Sequence, residues 1–299
     1  MKSSSLSRRA FVAATVQSTA ALALSARASA SPRTVRLPVK QARALAIDEK
    51  GTLIIAADRV LLSVSADGRT QSSIETPRPV RALCHDSKGG LWMTFSDQVA
   101  RLSADGSLEM VGSRFGQDTA LTGIAVAEDG HIFAADSAQR VIWRLDAAGN
   151  VLGQIKPGEK GFAVPRAFFP IAWQEGHLIV AEPGRHQVQR FTAEGEKVAA
   201  WGARSRDEAG FTGCCNPVAV APMADGGLVT VERGTVRVKR FDTAGQIVAQ
   251  LAGPDAFAAP VVIDEDMNAC ESGLLDVAVN QAGRVVVLDR AVGELHMLS

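Results

Sequence analysis

Gly123-Ile124-Ala125-Val126-Ala127-Glu128-Asp129-Gly130-His131-Ile132-Phe133-Ala134-Ala135-Asp136, continued by Arg140-Val141-Ile142-Trp143-Arg144-Leu145-Asp146, holds the pattern on which the chain is built. An apolar run meets a Gly turn, a second run follows, then a third. Residue by residue alternation, as in Val236-Arg237-Val238-Lys239-Arg240-Phe241, sends successive side chains to opposite faces and so has the period of a strand. Asp-Gly and related pairs supply the positive φ that tight hairpins need.

Outward from this unit the pattern recurs six times. The first turns end at Gly51, Gly89, Gly130, Gly176, Gly226 and Gly283, and five units carry a second turn, ending at Gly68, Gly106, Gly149, Gly195 and Gly245. Within a unit the two glycines lie 17 or 19 residues apart, whereas successive second turns are 38 to 50 apart, so insertions collect in the links. Three or four short strands per unit, repeated six times, predict an all-β six-bladed propeller. The last unit ends one strand short at Glu294-Leu295-His296-Met297-Leu298, and Thr34-Val35-Arg36-Leu37 precedes the first unit with nothing else to pair with. That segment is expected to close the ring as the outer strand of blade six, removing an exposed sheet edge.

The chain has 299 residues, with 32 Lys+Arg against 32 Asp+Glu. Such a balance leaves no electrostatic footprint for a nucleic acid. Residues 1–30 hold Lys2, Arg8, Arg9 and Arg27 and no acid. Ser7-Arg8-Arg9-Ala10-Phe11-Val12, a weakly apolar stretch to Leu24 and then Ala28-Ser29-Ala30 resemble a twin-arginine export signal with a small-residue cleavage site. The resemblance implies a periplasmic or secreted protein, residues 31–299 forming one propeller domain. No stretch reaches the roughly 20 apolar residues of a membrane span.

The repeat unit quoted above resembles an NHL repeat, which implies a fold and no chemistry, because propellers host enzymes, adaptors and scaffolds alike. A narrower set, Gly184-Arg185-His186, Gly210-Phe211-Thr212-Gly213-Cys214-Cys215-Asn216-Pro217, Val229-Thr230-Val231-Glu232-Arg233-Gly234 and Cys270, is similar to exported bacterial NHL-like propellers with a Gly-Cys-Cys-Asn-Pro motif. In that group a cysteine often precedes the Gly-Cys-Cys, where this chain has Thr212.

In a propeller the links into the inner strands and the turns between second and third strands share one face. The Gly turns lie on the other. Cys214, Cys215 and Cys270 fall in links and His186 in such a turn, so all are expected at one rim, whereas Cys84 falls inside an inner strand and reads as a core thiol. Three readings of the rim stay open: a disulfide of Cys270 with Cys214 or Cys215, a bound divalent or thiophilic metal with His186 as co-ligand, or a redox-active vicinal pair. On the same face a ring of carboxylates includes Glu182, Glu232 and Asp289. They serve either to hold the hairpins by accepting backbone N–H bonds or, as in calcium lactonase propellers, to bind a cation for a hydrolase or lyase. Arg166, Arg185 and Arg233 are candidate contacts for an anionic ligand or partner. Neither a Ser-His-Asp arrangement nor a phosphate-binding Gly loop appears. The leading expectation is a binding or accessory module that meets a protein or small molecule at the cysteine-bearing face.

Overall fold

The computed structural model describes residues 33–39, 41–65, 67–103, 105–257 and 274–298. Residues 31–299 form one compact unit. The export signal and Cys270 lie outside the described residues.

The strands form six four-stranded antiparallel sheets. Blade one holds β2 (Ala42–Ile47), β3 (Leu53–Ala57), β4 (Val60–Val64) and β5 (Thr70–Glu75). Blade two holds β6 (Ala82–His85), β7 (Leu91–Thr94), β8 (Val99–Leu102) and β9 (Leu108–Val111). Blade three holds β10 (Leu121–Val126), β11 (Ile132–Asp136), β12 (Val141–Leu145) and β13 (Val151–Ile155). Blade four holds β14 (Ile171–Gln174), β15 (His177–Glu182), β16 (Gln187–Phe191) and β17 (Lys197–Trp201). Blade five holds β18 (Ala219–Pro222), β19 (Leu228–Glu232), β20 (Arg237–Phe241) and β21 (Ile247–Ala252). Blade six consists of β22 (Leu275–Val279), β23 (Val285–Asp289), β24 (Glu294–Leu298) and, as its outer strand, β1 (Arg33–Arg36).

The protein is therefore a six-bladed β-propeller, closed as the sequence predicts. Arg33 faces Met297 and Arg36 faces Glu294 across the closing pair, and the Leu37 amide donates to the Gly293 carbonyl at 2.9 Å. Leu37 is buried in the cluster that joins blade six to blade one, with Leu45, Leu62, Leu288 and Leu295.

Between blades, one inner-facing apolar layer packs against the next. Val229, Val231 and Val238 of blade five meet Val277, Val285 and Val287 of blade six in one such layer. The second-turn glycines keep neighbours close: Gly149 has φ 85°, and a Cβ there would sit 2.5 Å from the Gly112 amide of the adjoining blade. No helix among the described residues is long and apolar enough to cross a membrane.

The expected division of faces is visible in the hydrogen bonds. Asp136, at the end of β11, accepts from the Ala120 amide in the link before β10 and from Ala138 and Gln139 in its own turn. Links and second-to-third-strand turns thus share a face, with the Gly turns opposite. The inner strands run from the link face to the Gly-turn face around a central channel.

Candidate functional site

The Cys214–Cys215 loop stands on the link face, just before β18. Its foundation is a buried charge cluster. Glu232, fully buried at the end of β19, accepts from the Thr212 amide at 2.6 Å and from Arg237 Nη2 at 2.8 Å, and its other oxygen lies 2.9 Å from Lys239 Nζ. Arg237 and Lys239 both donate to the Gly210 carbonyl, at 2.7 and 2.6 Å. Lys239 sits over the Phe211 ring, 4.3 Å from its centre. Burial pulls the Lys239 ammonium below its ordinary range and Glu232 pulls it back up. Two cations and one carboxylate, closed over by link carbonyls, fix the link that carries the cysteines.

Above this base the loop is pinned from two sides. Asn216, fully buried, donates to the Thr212 and Arg233 carbonyls and accepts from the Arg233 amide at 2.9 Å. His186, in the left-handed region at φ 57°, reaches over from blade four, its Nε2 lying 3.0 Å from the Gly213 carbonyl. A carbonyl oxygen only accepts, so that nitrogen carries the proton. Gly213 and Cys215 also take left-handed φ values, 67° and 58°, and the Asn216–Pro217 peptide is cis. Arg233 Nη2 donates to the Cys214 carbonyl at 3.3 Å.

The result is an exposed Cys214 beside a half-buried Cys215, with their sulfurs 3.2 Å apart. A disulfide spans about 2.05 Å, so these two sulfurs are not bonded to each other. Cys215 also packs against Phe168 and Val218, which joins the loop to the core between blades five and six.

The structure brings Cys214, Cys215, His186, Glu232 and Arg233 together at one loop. His186 braces the loop backbone through Nε2. Glu182, 1% exposed, accepts from the Ala163 amide at 2.7 Å and from Arg185 Nε at 2.9 Å, and it is also bonded to Gln189. Asp289 accepts from the Ala291 amide at 2.9 Å. Glu182, Glu232 and Asp289 therefore hold their own hairpins and links instead of converging on the channel. Among the described residues no three His, Cys, Asp or Glu side chains group so as to hold a metal ion. Among the described residues the donor set does not form the calcium site that a lactonase propeller implies. The Arg185 side chain lies over Glu182, and Arg166 is exposed, with its carbonyl accepting from Ser137 Oγ.

Cys84 is half-buried against Ala82, Trp92 and Leu121, and burial pushes its thiol well above the usual range. Its neighbour His85 reads from the sequence as a surface or structural residue at the end of an inner strand. It lines a cavity of about 200 Å³ at the Gly-turn end of the channel, with Leu83, Val126, Trp173 and Pro222. Neither ring nitrogen has a well-formed hydrogen-bond partner, and burial holds its pKa below the ordinary 6.5. The available signal was alternation, which puts Arg81, Leu83 and His85 on one side of the inner strand.

No family model and no curated protein sequence matches the chain. Solved structures do. A streptogramin B lyase structure is 17% identical with a TM-score of 0.63, covering 90% of this chain and 97% of its own. A protein of unknown function from Bacteroides thetaiotaomicron is 14% identical with a TM-score of 0.70, covering 87% of this chain and 70% of its own. A gluconolactonase from Xanthomonas campestris is 17% identical with a TM-score of 0.59, covering 90% of each chain. At such identities the likeness is one of fold.

Proposed function

We propose that this chain is an exported, NHL-like binding or accessory module whose working face carries the Cys214–Cys215 loop and meets a protein or small-molecule partner. One observation carries the reading. Two adjacent cysteine sulfurs, that of Cys214 exposed, are held 3.2 Å apart by a loop whose supports, His186, Asn216 and Glu232, are themselves buried. A loop with only a connecting role needs none of this, because links on a propeller surface tolerate wide variation. The twin-arginine-like segment supports delivery to the periplasm or beyond in folded form.

The experiment is cross-linking in the producing cells with a short bis-maleimide. The parent should give a discrete adduct that Cys214→Ser loses. Absence of any adduct in the parent would remove the reading.

A second reading is a lactonase- or lyase-like enzyme. It draws on the fold shared with the streptogramin B lyase and the gluconolactonase, and on the His85 cavity. Turnover in a lactone and ester screen, lost in His85→Gln, would favour it over the binding module.

A further inference from the structure

The six inner strands set two rings of residues around the channel. The ring nearest the Gly turns is Ile47, His85, Val126, Trp173, Pro222 and Val279. Two residues earlier along each strand come Leu45, Leu83, Ile124, Ile171, Val220 and Val277, a wholly aliphatic collar that borders a cavity on either side. On the link side the cavity is about 90 Å³ and its wall includes Arg43 and Thr122, the extra residues of β-bulges. On the Gly-turn side lies the larger chamber, about 200 Å³, with no Asp, Glu, Lys or Arg in its wall. The six first Gly turns that frame it are described throughout, and Phe257 and Leu274, which flank the undescribed stretch before β22, belong to the link at the other end.

Two side chains bring ring nitrogens to this chamber, and one is already occupied. Trp173 stacks on Phe133 with ring centres 5.2 Å apart, and its Nε1 donates to Glu128, so the indole is fixed and its donor is taken. His85 is the other. Burial lowers its pKa against the pull of the Gly89 carbonyl, Asp48, Asp86 and Glu49, which leaves the imidazole neutral at neutral pH. Neither ring nitrogen has a well-formed partner. The Gly89 carbonyl favours the proton on one nitrogen, so the other is an acceptor, and the broad χ2 torsion of histidine lets it turn to a ligand in the chamber. The nearby carboxylates hold their own turns, Asp48 through the Thr52 amide and Asp86 through the Gly90 amide and Trp92, and their charge opposes an anion at this mouth. The inner strands are free sheet edges, so alternate backbone N–H and C=O groups also face the channel and hydrate it.

We infer that the Gly-turn chamber reversibly binds a small neutral ring compound with one hydroxyl, of the size and class of phenol, its O–H donating to His85. An apolar cavity of about 150 Å³ holds a benzene molecule, so this chamber takes a single ring with a small substituent. Aliphatic walls, one aromatic wall and one directional polar group are the usual make-up of a small-molecule site. A charged group would lose its hydration here without gaining a counter-ion. The inference takes from the enzyme reading only its cavity and needs no turnover. It also lies at the other end of the channel from the Cys214–Cys215 loop, so a silent lactone screen or a failed cross-link leaves it standing.

The test is an NMR titration of the isotope-labelled protein with phenol, fluorobenzene and benzoate, followed through the indole N–H resonances. Phenol should shift the Trp173 signal saturably and leave that of Trp201, in the outer strand of blade four, in place. Fluorobenzene has the ring without the donor and should bind about five- to tenfold more weakly, the scale of one buried hydrogen bond. Benzoate should not bind. His85→Leu should bring phenol down to the level of fluorobenzene while leaving fluorobenzene unchanged, a difference that a merely structural role of His85 would not produce. Val279→Phe fills the chamber from a half-buried position and should abolish binding of both, and it decides alone if His85→Leu does not fold. No saturable phenol binding by the parent, equal affinity for phenol and fluorobenzene, benzoate binding as tight as phenol, or unchanged binding in Val279→Phe overturns the inference.

Discussion

Leu37→Ala tests how the ring closes. Leu37 is 6% exposed and belongs to the cluster of Leu45, Leu62, Leu288 and Leu295 that joins the first blade to the last. Truncating a buried leucine costs about 2 to 5 kcal/mol, the spread reflecting how far the site can relax. Leu37 sits beside an outer strand whose other residues are mostly exposed, so the surroundings can settle inward and the lower part of that range, about 2 to 3 kcal/mol, applies. For a domain of this size each kcal/mol lowers Tm by roughly 2 to 4 °C, which gives a fall of about 4 to 12 °C. Arg36→Ala, an exposed neighbour in β1, is the control and should change stability by no more than about 0.5 kcal/mol. Differential scanning calorimetry on both variants and on a chain lacking residues 31–40 gives the comparison. The deletion should cost more than Leu37→Ala, because it also removes Val35 and bares the edge of β24. Equal melting of Leu37→Ala and the parent would refute the idea that this contact closes the ring.

Three more outcomes are expected. Glu232→Gln leaves Arg237 and Lys239 buried without their carboxylate and should cost about 3 to 5 kcal/mol, read by urea unfolding, whereas metal content should not change. Burial holds the His85 and His296 imidazoles below 6.5, so the unfolded chain takes up protons first on acidification. Their contribution to stability is present above about pH 6.5 and is lost as pH falls through the lower folded values. Tm should therefore drop between about pH 7 and pH 5, and less steeply in His85→Gln; an identical slope in that variant contradicts the assignment. Replacing Arg8 and Arg9 together with Lys should trap the precursor inside the cell, seen by fractionation and immunoblotting, and unimpaired export would show that the segment uses another route.

The fold was legible because its two signals are local. Period-two alternation and paired Gly turns are readable anywhere along the chain, and counting them gives the blades. Even the closing strand followed, since Thr34-Val35-Arg36-Leu37 had no other partner. Chain order also placed Cys214 and Cys215 correctly, because the residues before an inner strand must lie on the link face.

What alternation did not convey is which polar residues are covered. Val236-Arg237-Val238-Lys239 reads as a strand with its charges on one face and does not say what that face meets; Arg237 and Lys239 are buried because the link through Asp207, Glu208 and Gly210 folds over them. Glu232 looked like one carboxylate in a ring of equals and became the counter-ion of that pair. His186, a co-ligand in only one of the open readings of the rim, holds the Gly213 carbonyl, a contact that depends on a left-handed backbone and on contact between blades four and five. Arg43 and Thr122 turn inward through bulges, which shift register without leaving a mark in the apolar pattern.

The central claim is that the link face is the working face, and a comparison of the two faces tests it most directly. One protein keeps Cys214. The other carries Cys214→Ser and Cys215→Ser together with Asp225→Cys, which places a thiol on the exposed Gly turn between β18 and β19 at the opposite face. Each is produced in the native cells and treated with the same short bis-maleimide, and adducts are quantified by mass spectrometry. The account predicts a discrete adduct from Cys214 and none above background from position 225. Adducts from position 225 alone would put the partner on the other side of the propeller and contradict it.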